Sequence, residues 1–246
     1  MNWEAIVFSV SEIILISLTA IFASKPWNIL IPTITLIIFT ILVIYLKTRE
    51  KQFYYLPMNK HKDIENFIGA GTLEYIKNEN CFRITKSQAG FIFRKTLTWD
   101  DYKFKCDFKI QNSSFGIILR AQDLSNYLLI QMFTSRIRPH IRIDGYWSID
   151  SPWEQETAGL NLSKDEWYSL EIYCEKRKIR ICINWNTISE FDRTWMIPER
   201  VLINLKKQDG QEIPIAKEVF FDYGAIGIRN SGKESALFKN ILVKKL

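Results

Sequence analysis

Basic side chains alternate along one short stretch of the sequence, at Arg136, Arg138, His140 and Arg142. Alternate residues of a β-strand point to the same face of the sheet, so this spacing predicts a row of guanidinium and imidazole groups on one face. Such a row suits an anion site for a nucleotide, a phosphate or a lipid headgroup, because guanidinium groups pair with anionic oxygens. A solvated outer face and a protein contact are the alternatives. Pro139 within the run predicts an edge strand or a bulge, since proline donates no ladder hydrogen bond.

Aromatic residues follow this basic run at Tyr146, Trp147 and Trp153. Aromatic side chains in a loop-rich stretch stack on sugars or bases, although core packing is their more frequent role. Arg120, Tyr127 and Gln131 lie on the preceding runs and are additional candidates if the concave face of the sheet binds a ligand. The predicted ligand-binding residues are Arg120, Tyr127, Gln131, Arg138, His140, Arg142, Trp147 and Trp153.

Residues suited to catalysis are few. Glu154 and Glu156 share one strand face and could form a carboxylate pair, but a solvated loop or edge strand explains them as well. Asp100 and Asp101 are more typical of a turn than of a calcium loop, because no further Asp or Asn follows at ligand spacing. We therefore predict a non-enzymatic protein with no catalytic residue, no metal site and no cofactor.

Short alternating runs rich in β-branched and aromatic residues recur after residue 72 and predict β-strands. The runs cover residues 91–95, 102–110, 115–120, 127–133, 136–143, 167–174, 179–185, 225–229 and 236–244. Turn residues separate them, for example at 112–114, 144–145 and 230–232. The pattern predicts an all-β domain built as a two-sheet, jelly-roll sandwich.

Several of these runs share their order and spacing with a known superfamily. They are SFGIILRAQD at 114–123 followed by Asn126 and Tyr127, DEWYSLEIY at 165–173, GAIGIR at 224–229 and ALFKNILV at 236–243. Together they resemble the concanavalin A-like (laminin-G-like) jelly-roll superfamily, in its bacterial branch related to family 16 glycoside hydrolases. The resemblance covers about residues 85–246 and implies the fold alone. The Glu-x-Asp-x-x-Glu catalytic motif of family 16 is absent from the sequence.

The cysteines Cys81, Cys106, Cys174 and Cys182 do not have metal-ligand spacing. A hairpin with its turn at residues 176–177 would place Cys174 and Cys182 on opposite faces, which argues against a disulfide between them. We expect free thiols in a reducing compartment.

Two long apolar runs precede the β-rich region, at residues 5–23 and 28–46. Each is long enough for a helix to cross a bilayer core about 30 Å thick, so the sequence predicts a transmembrane hairpin over residues 1–47. A cleaved signal peptide is the less favoured explanation of the first run, because no basic residue precedes it. Basic residues cluster just after the second run, at Lys47, Arg49 and Lys51, which predicts an inner-membrane protein with both termini in the cytoplasm.

An acidic residue, Glu12, lies near the middle of the first run and shares a helical stripe with Ser9 and Thr19. The stripe could line a seam between copies of the protein, or a protonated Glu12 could be hydrogen-bonded inside the hairpin.

We predict a juxtamembrane linker against membrane lipid at residues 48–70 and the sandwich at residues 71–246.

The charge balance, 33 Lys and Arg against 27 Asp and Glu with a net charge of +6, makes nucleic acid an improbable partner. Our first hypothesis is a membrane-anchored, homo-oligomerising binding protein whose cytosolic jelly-roll takes an anionic small molecule, a carbohydrate or a protein. It could act as an effector of bacterial defence or stress signalling. The alternatives are a carbohydrate-binding surface module and a glycoside-active enzyme with an atypical site.

Overall fold

The computed structural model describes residue 12 and residues 34–42, 52–148, 155–156, 160–192, 200–206, 212–218 and 221–246. The chain divides into two compact units, Met1–Lys51 and Gln52–Leu246.

The described residues of the first unit are helical: Glu12, which is exposed, and residues 34–42. Within the described part of the chain, no helix is both long and apolar enough to cross a membrane. The prediction of an inner-membrane protein with two spans and cytoplasmic termini is therefore wrong. The predicted roles of Ser9 and Thr19 lie outside the described residues, and nothing described supports a lipid contact or self-association through Glu12.

The second unit consists of β-strands. Their bounds are β1 Phe53–Leu56, β2 Phe67–Ile76, β3 Cys81–Phe93, β4 Tyr102–Ile110, β5 Ser114–Ala121, β6 Tyr127–Phe133, β7 Arg136–Ile143, β8 Tyr146–Trp147, β9 Gln155–Glu156, β10 Tyr168–Glu175, β11 Lys178–Ile183, β12 Asn186–Asp192, β13 Arg200–Lys206, β14 Glu212–Glu218, β15 Ala225–Arg229 and β16 Ala236–Lys245. Short 3-10 turns follow β1, β2 and β3, at His61–Asp63, Lys77–Glu79 and Arg94–Thr96.

The strands form two layers joined by β3. One layer runs β12-β11-β10-β4-β16, and the other runs β15-β5-β6-β7-β8. The long strand β3 pairs with β16 near its start, at Phe82–Ile84, and with β15 near its end, at Phe91 and Ile92. Strand β2 follows β3 along its length, β1 pairs with β16, and β13 and β14 form a separate two-stranded sheet.

The core lies between the two layers. Burial alternates residue by residue along β4, so one face of this strand is inside and the other faces outward. The ring of Phe108 on β4 lies 4.7 Å from Phe115 on β5, and Phe115 lies 5.4 Å from Phe238 on β16, measured between ring centroids. Side chains from both layers thus pack face to face, as in a β-sandwich.

The alternating pattern predicts several strands to the residue: β4, β6, β7 and β15 have the bounds expected from sequence. The hairpin of β10 and β11 also has the predicted register, with Cys174 opposite Ile179 and Cys182 opposite Glu171. All four cysteines are buried and free. Pro139 lies between the short partners β8 and β9, which pair with β7 only near its two ends, in keeping with a near-edge position.

Two expectations need correction. Part of the predicted linker at residues 48–70 is in the sheet, because β1 pairs with β16 from Phe53 to Leu56. Strand β1 has four residues and β2 is mostly exposed, so neither leaves an alternating pattern in the sequence. The run expected to end at Trp185 ends at Ile183, since Asn184 and Trp185 have φ values of 46° and 70° and form the turn into β12.

Candidate functional site

A polar pocket lies on the outer face of the layer formed by β15, β5, β6, β7 and β8. Its volume is about 340 Å³, and its walls are Leu129, Gln131, Arg138, His140, Trp147, Ser148, Arg229, Ser231 and Glu234. Gln131 on β6 and Arg138 on β7 each directly follow a core residue, Ile130 and Ile137. Because neighbouring residues of a strand point to opposite faces, both side chains point away from the core.

The indole ring of Trp147 is held in place by its neighbours. The guanidinium carbon of Arg229 lies 4.9 Å from the ring centroid and that of Arg142 lies 5.4 Å away. Tyr127 and His140 meet the indole edge-on, at centroid distances of 6.0 and 5.7 Å. These cation–π and aromatic contacts fix the orientation of a partly exposed ring at the pocket wall.

The carboxylate of Glu234 is the acidic group of the pocket and is almost fully buried. It accepts hydrogen bonds from the backbone N–H of Ser231 at 2.5 Å, from the hydroxyl of Ser114 at 3.2 Å and from the amide nitrogen of Gln131 at 2.5 Å. Nη1 of Arg229 lies 3.5 Å from the second carboxylate oxygen. The negative charge is therefore balanced inside the pocket.

The imidazole of His140 is neutral near pH 7. Burial, together with the positive charges of Arg138 and Arg229, lowers the pKa of His140 from 6.5 to about 4. Gln131 directs its amide nitrogen at Glu234, so its oxygen faces Nε2 of His140 at 3.0 Å. Nε2 therefore carries the hydrogen, and Nδ1 is left as an acceptor.

The two guanidinium groups beside Trp147 are themselves anchored to backbone. Nε of Arg229 donates to the carbonyl of Gln88 at 2.9 Å, and Nη1 of Arg142 donates to the same carbonyl at 3.2 Å. Arg142 also donates to the hydroxyl of Tyr127 at 3.1 Å. Burial lowers the pKa of Arg229, although the neighbouring Glu234 opposes that effect. Arg142 and Tyr127 thus support the pocket wall from behind Trp147.

The structure gathers half of the predicted binding residues into this pocket: Gln131, Arg138, His140 and Trp147. Tyr127 and Arg142 lie behind them, and Trp153 lies outside the described residues.

Arg120 is not a pocket residue, contrary to expectation. It is 1% exposed and donates to the backbone carbonyls of Phe221, Asp222 and Lys176. Its φ of 50° breaks the strand alternation that predicted an outward side chain. Asp101 also has a structural role, since its carboxylate accepts the backbone N–H of Lys176 at 2.6 Å.

Sequence reasoning did not select Arg229, Ser231 or Glu234: it treated Arg229 only as the end of a strand and Ser231 only as part of the turn at 230–232. Arg229 does alternate with the core residues Ile226 and Ile228, which is a usable signal for an outward side chain. Of the proposed carboxylate pair, Glu156 lies in β9 opposite Arg136, and Glu154 lies outside the described residues.

Residues 58–244 match the family model described as the 3-keto-alpha-glucoside-1,2-lyase-like domain. The chain belongs to this family. Comparison with curated proteins gives no match.

Among the solved structures with a similar fold are three bacterial proteins. Carbohydrate-binding module CBM66 from Bacillus subtilis is 12% identical, with a TM-score of 0.51 over 73% of this chain and 96% of that one. A putative glycosyl hydrolase from Parabacteroides distasonis is 18% identical, with a TM-score of 0.51 over 78% and 100% of the two chains. A Bacillus subtilis protein of unknown function with a galectin-like fold is 12% identical, with a TM-score of 0.51 over 80% and 97%. These similarities confirm the predicted all-β, jelly-roll-like sandwich.

Proposed function

We propose that the pocket around Trp147 binds a carbohydrate. The observation that carries this proposal is one fixed, partly exposed indole ring beside the polar side chains of Gln131, His140 and Glu234. A sugar ring has apolar C–H faces and a rim of hydroxyl groups, so it requires an aromatic surface and hydrogen-bonding groups in one pocket. The neutral His140 offers an acceptor at Nδ1, and Arg138 offers N–H donors.

The comparisons support a carbohydrate ligand. The family model is named after a lyase of a keto-glucoside, and one solved structure of similar fold is a carbohydrate-binding module. They favour the carbohydrate-binding alternative of the sequence analysis over the membrane-anchored effector.

We propose binding without catalysis. General acid–base chemistry needs a carboxyl or imidazole group that can exchange a proton with the substrate. The pocket carboxylate, Glu234, already accepts from Ser231, Ser114 and Gln131 and pairs with Arg229. Both oxygens of Glu234 therefore already have partners within the protein.

An enzyme is the second candidate, because the family is named after a lyase and His140 is neutral with a potential base at Nδ1. The two candidates differ in turnover. Incubation of the purified protein with each saccharide that it binds, followed by chromatography of the products, should return the saccharide intact. Cleavage that His140→Gln abolishes would establish the enzyme instead.

Binding can be tested on a glycan array and then by titration calorimetry with the best ligand. Trp147→Ala should weaken binding at least tenfold, or about 1.4 kcal/mol, since the aromatic surface is lost. Trp185→Ala is the matched control, because Trp185 is 73% exposed in the turn between β11 and β12 and is not a wall residue of this pocket. Absence of any glycan ligand, or equal binding by the two variants, would refute the proposal.

A further inference from the structure

The guanidinium of Arg138 differs from those of Arg229 and Arg142, the two arginines beside Trp147. Arg229 pairs with Glu234 and with a backbone carbonyl, and Arg142 donates to two backbone carbonyls and to Tyr127. Nε of Arg138 is shielded from solvent and has no hydrogen-bond partner. Among the described residues, no carboxylate pairs with Arg138. Its side chain nevertheless lines the pocket, opposite Gln131 in the β6–β7 register.

An excess of positive charge in the pocket follows from this arrangement. The charges of Arg229 and Glu234 offset each other at 3.5 Å, and His140 is neutral, which leaves the charge of Arg138 without a counterpart among the described wall residues. The field is felt within the pocket, since Arg138 and Arg229 both disfavour protonation of His140. A neutral sugar would leave this charge unbalanced.

Arg138 as a whole is partly exposed and lines the pocket, so a ligand oxygen that accepts from its guanidinium would supply the charged partner that the described wall residues do not. A carboxylate suits a guanidinium best, because its two oxygens match two parallel N–H donors. We propose that the carbohydrate bound here is acidic, a uronic acid whose carboxylate pairs with Arg138 while its ring lies against Trp147. This inference rests on the proposed carbohydrate site and specifies its ligand class.

Matched pairs of sugars test the proposal by titration calorimetry of the full-length protein. The pairs are methyl glucoside against methyl glucuronide and methyl galactoside against methyl galacturonide, with a 6-sulfated galactoside and acetate as further probes. We expect the acidic member of at least one pair to bind at least tenfold more tightly than its neutral partner. The sulfated sugar should bind more weakly than the uronide, because a tetrahedral sulfate does not match the planar guanidinium as a carboxylate does.

Substitutions then test whether Arg138 causes the preference for acidic over neutral sugars. Arg138→Gln should bring the uronide down to the affinity of the neutral sugar, whereas Arg138→Lys should retain part of the preference through its charge. Arg180→Gln on β11 is the matched control, since it removes the same charge from a strand of the opposite layer and should keep the full preference. Urea unfolding of each variant verifies that it is folded before titration.

Equal binding of acidic and neutral sugars by the parent protein would overturn this inference and leave the carbohydrate site standing. Failure of every sugar to bind would overturn the proposed function as well. Acetate binding as tight as that of the uronide, or an unchanged preference in a folded Arg138→Gln variant, would also overturn the inference.

Discussion

Replacement of Glu234 by glutamine should destabilise the sandwich by about 3 kcal/mol. The carboxylate pairs with Arg229 at 3.5 Å, and the two side chains are 9% and 10% exposed. Removing one partner of a buried ion pair leaves the other charge uncompensated and costs about 3–5 kcal/mol. The glutamine amide keeps one oxygen that can still accept from the N–H of Ser231, so we expect the lower end of this range.

An exposed ion pair of the same chemistry provides the control. Arg83 and Glu74 lie 3.4 Å apart, close to the spacing of the buried pair, but their side chains are 33% and 54% exposed. Exposed pairs contribute about 0–1 kcal/mol, because water screens both charges. Glu74→Gln should therefore change the free energy of unfolding by less than about 1 kcal/mol.

Urea unfolding of the full-length protein, followed by tryptophan fluorescence, measures both variants. A loss of about 3 kcal/mol corresponds to a decrease in Tm of roughly 6–12 °C for a domain of this size. A loss below about 1 kcal/mol for Glu234→Gln, or equal losses for the two variants, would refute the assignment of Arg229–Glu234 as a buried, charge-balanced pair.

The remaining predictions concern acid pH and strand packing. Below pH 6.5 the unfolded chain protonates His140, whereas the folded state does so only near pH 4, so stability should fall as the pH is lowered through this window. The loss at pH 4 is about 3 kcal/mol, and urea unfolding of His140→Gln should show a shallower pH dependence; an unchanged one would contradict the burial of a neutral imidazole. Gly227→Ala should cost about 1–3 kcal/mol, because its Cβ would lie 2.3 Å from the backbone oxygen of Phe91. Gly116→Ala should cost less in the same assay, since its Cβ would meet the movable side chain of Leu129 at 2.6 Å; the reverse order would contradict this packing.

Much of the fold could be predicted from the sequence, because buried and exposed residues alternate along a half-buried strand. Strand β4 alternates between buried and partly exposed residues along its full length, and the apolar residues therefore recur with a period of two. The outward row of Arg138, His140 and Arg142 follows from the same alternation.

Other elements are held by contacts that leave no local pattern. Strand β1 joins the sheet through backbone pairing with β16, nearly the whole domain away in sequence. The inward turn of Arg120 depends on a backbone conformation that no neighbouring residue type indicates. In the N-terminal region, apolar composition predicted two spanning helices, but no helix among the described residues is long and apolar enough to cross a membrane.

The sequence alone determined the β-rich class, the central strands and four of the nine wall residues of the pocket, because these depend on which residues alternate within one strand. Only the tertiary structure placed Glu234 against Gln131 and Arg229 beside Trp147. These contacts arise because β15 pairs with β5, which brings together segments that are about a hundred residues apart in the chain. The tertiary structure also distinguished Arg138 from Arg142, since the hydrogen-bond partners of an arginine depend on which residues are near it in space and not on its position along the strand.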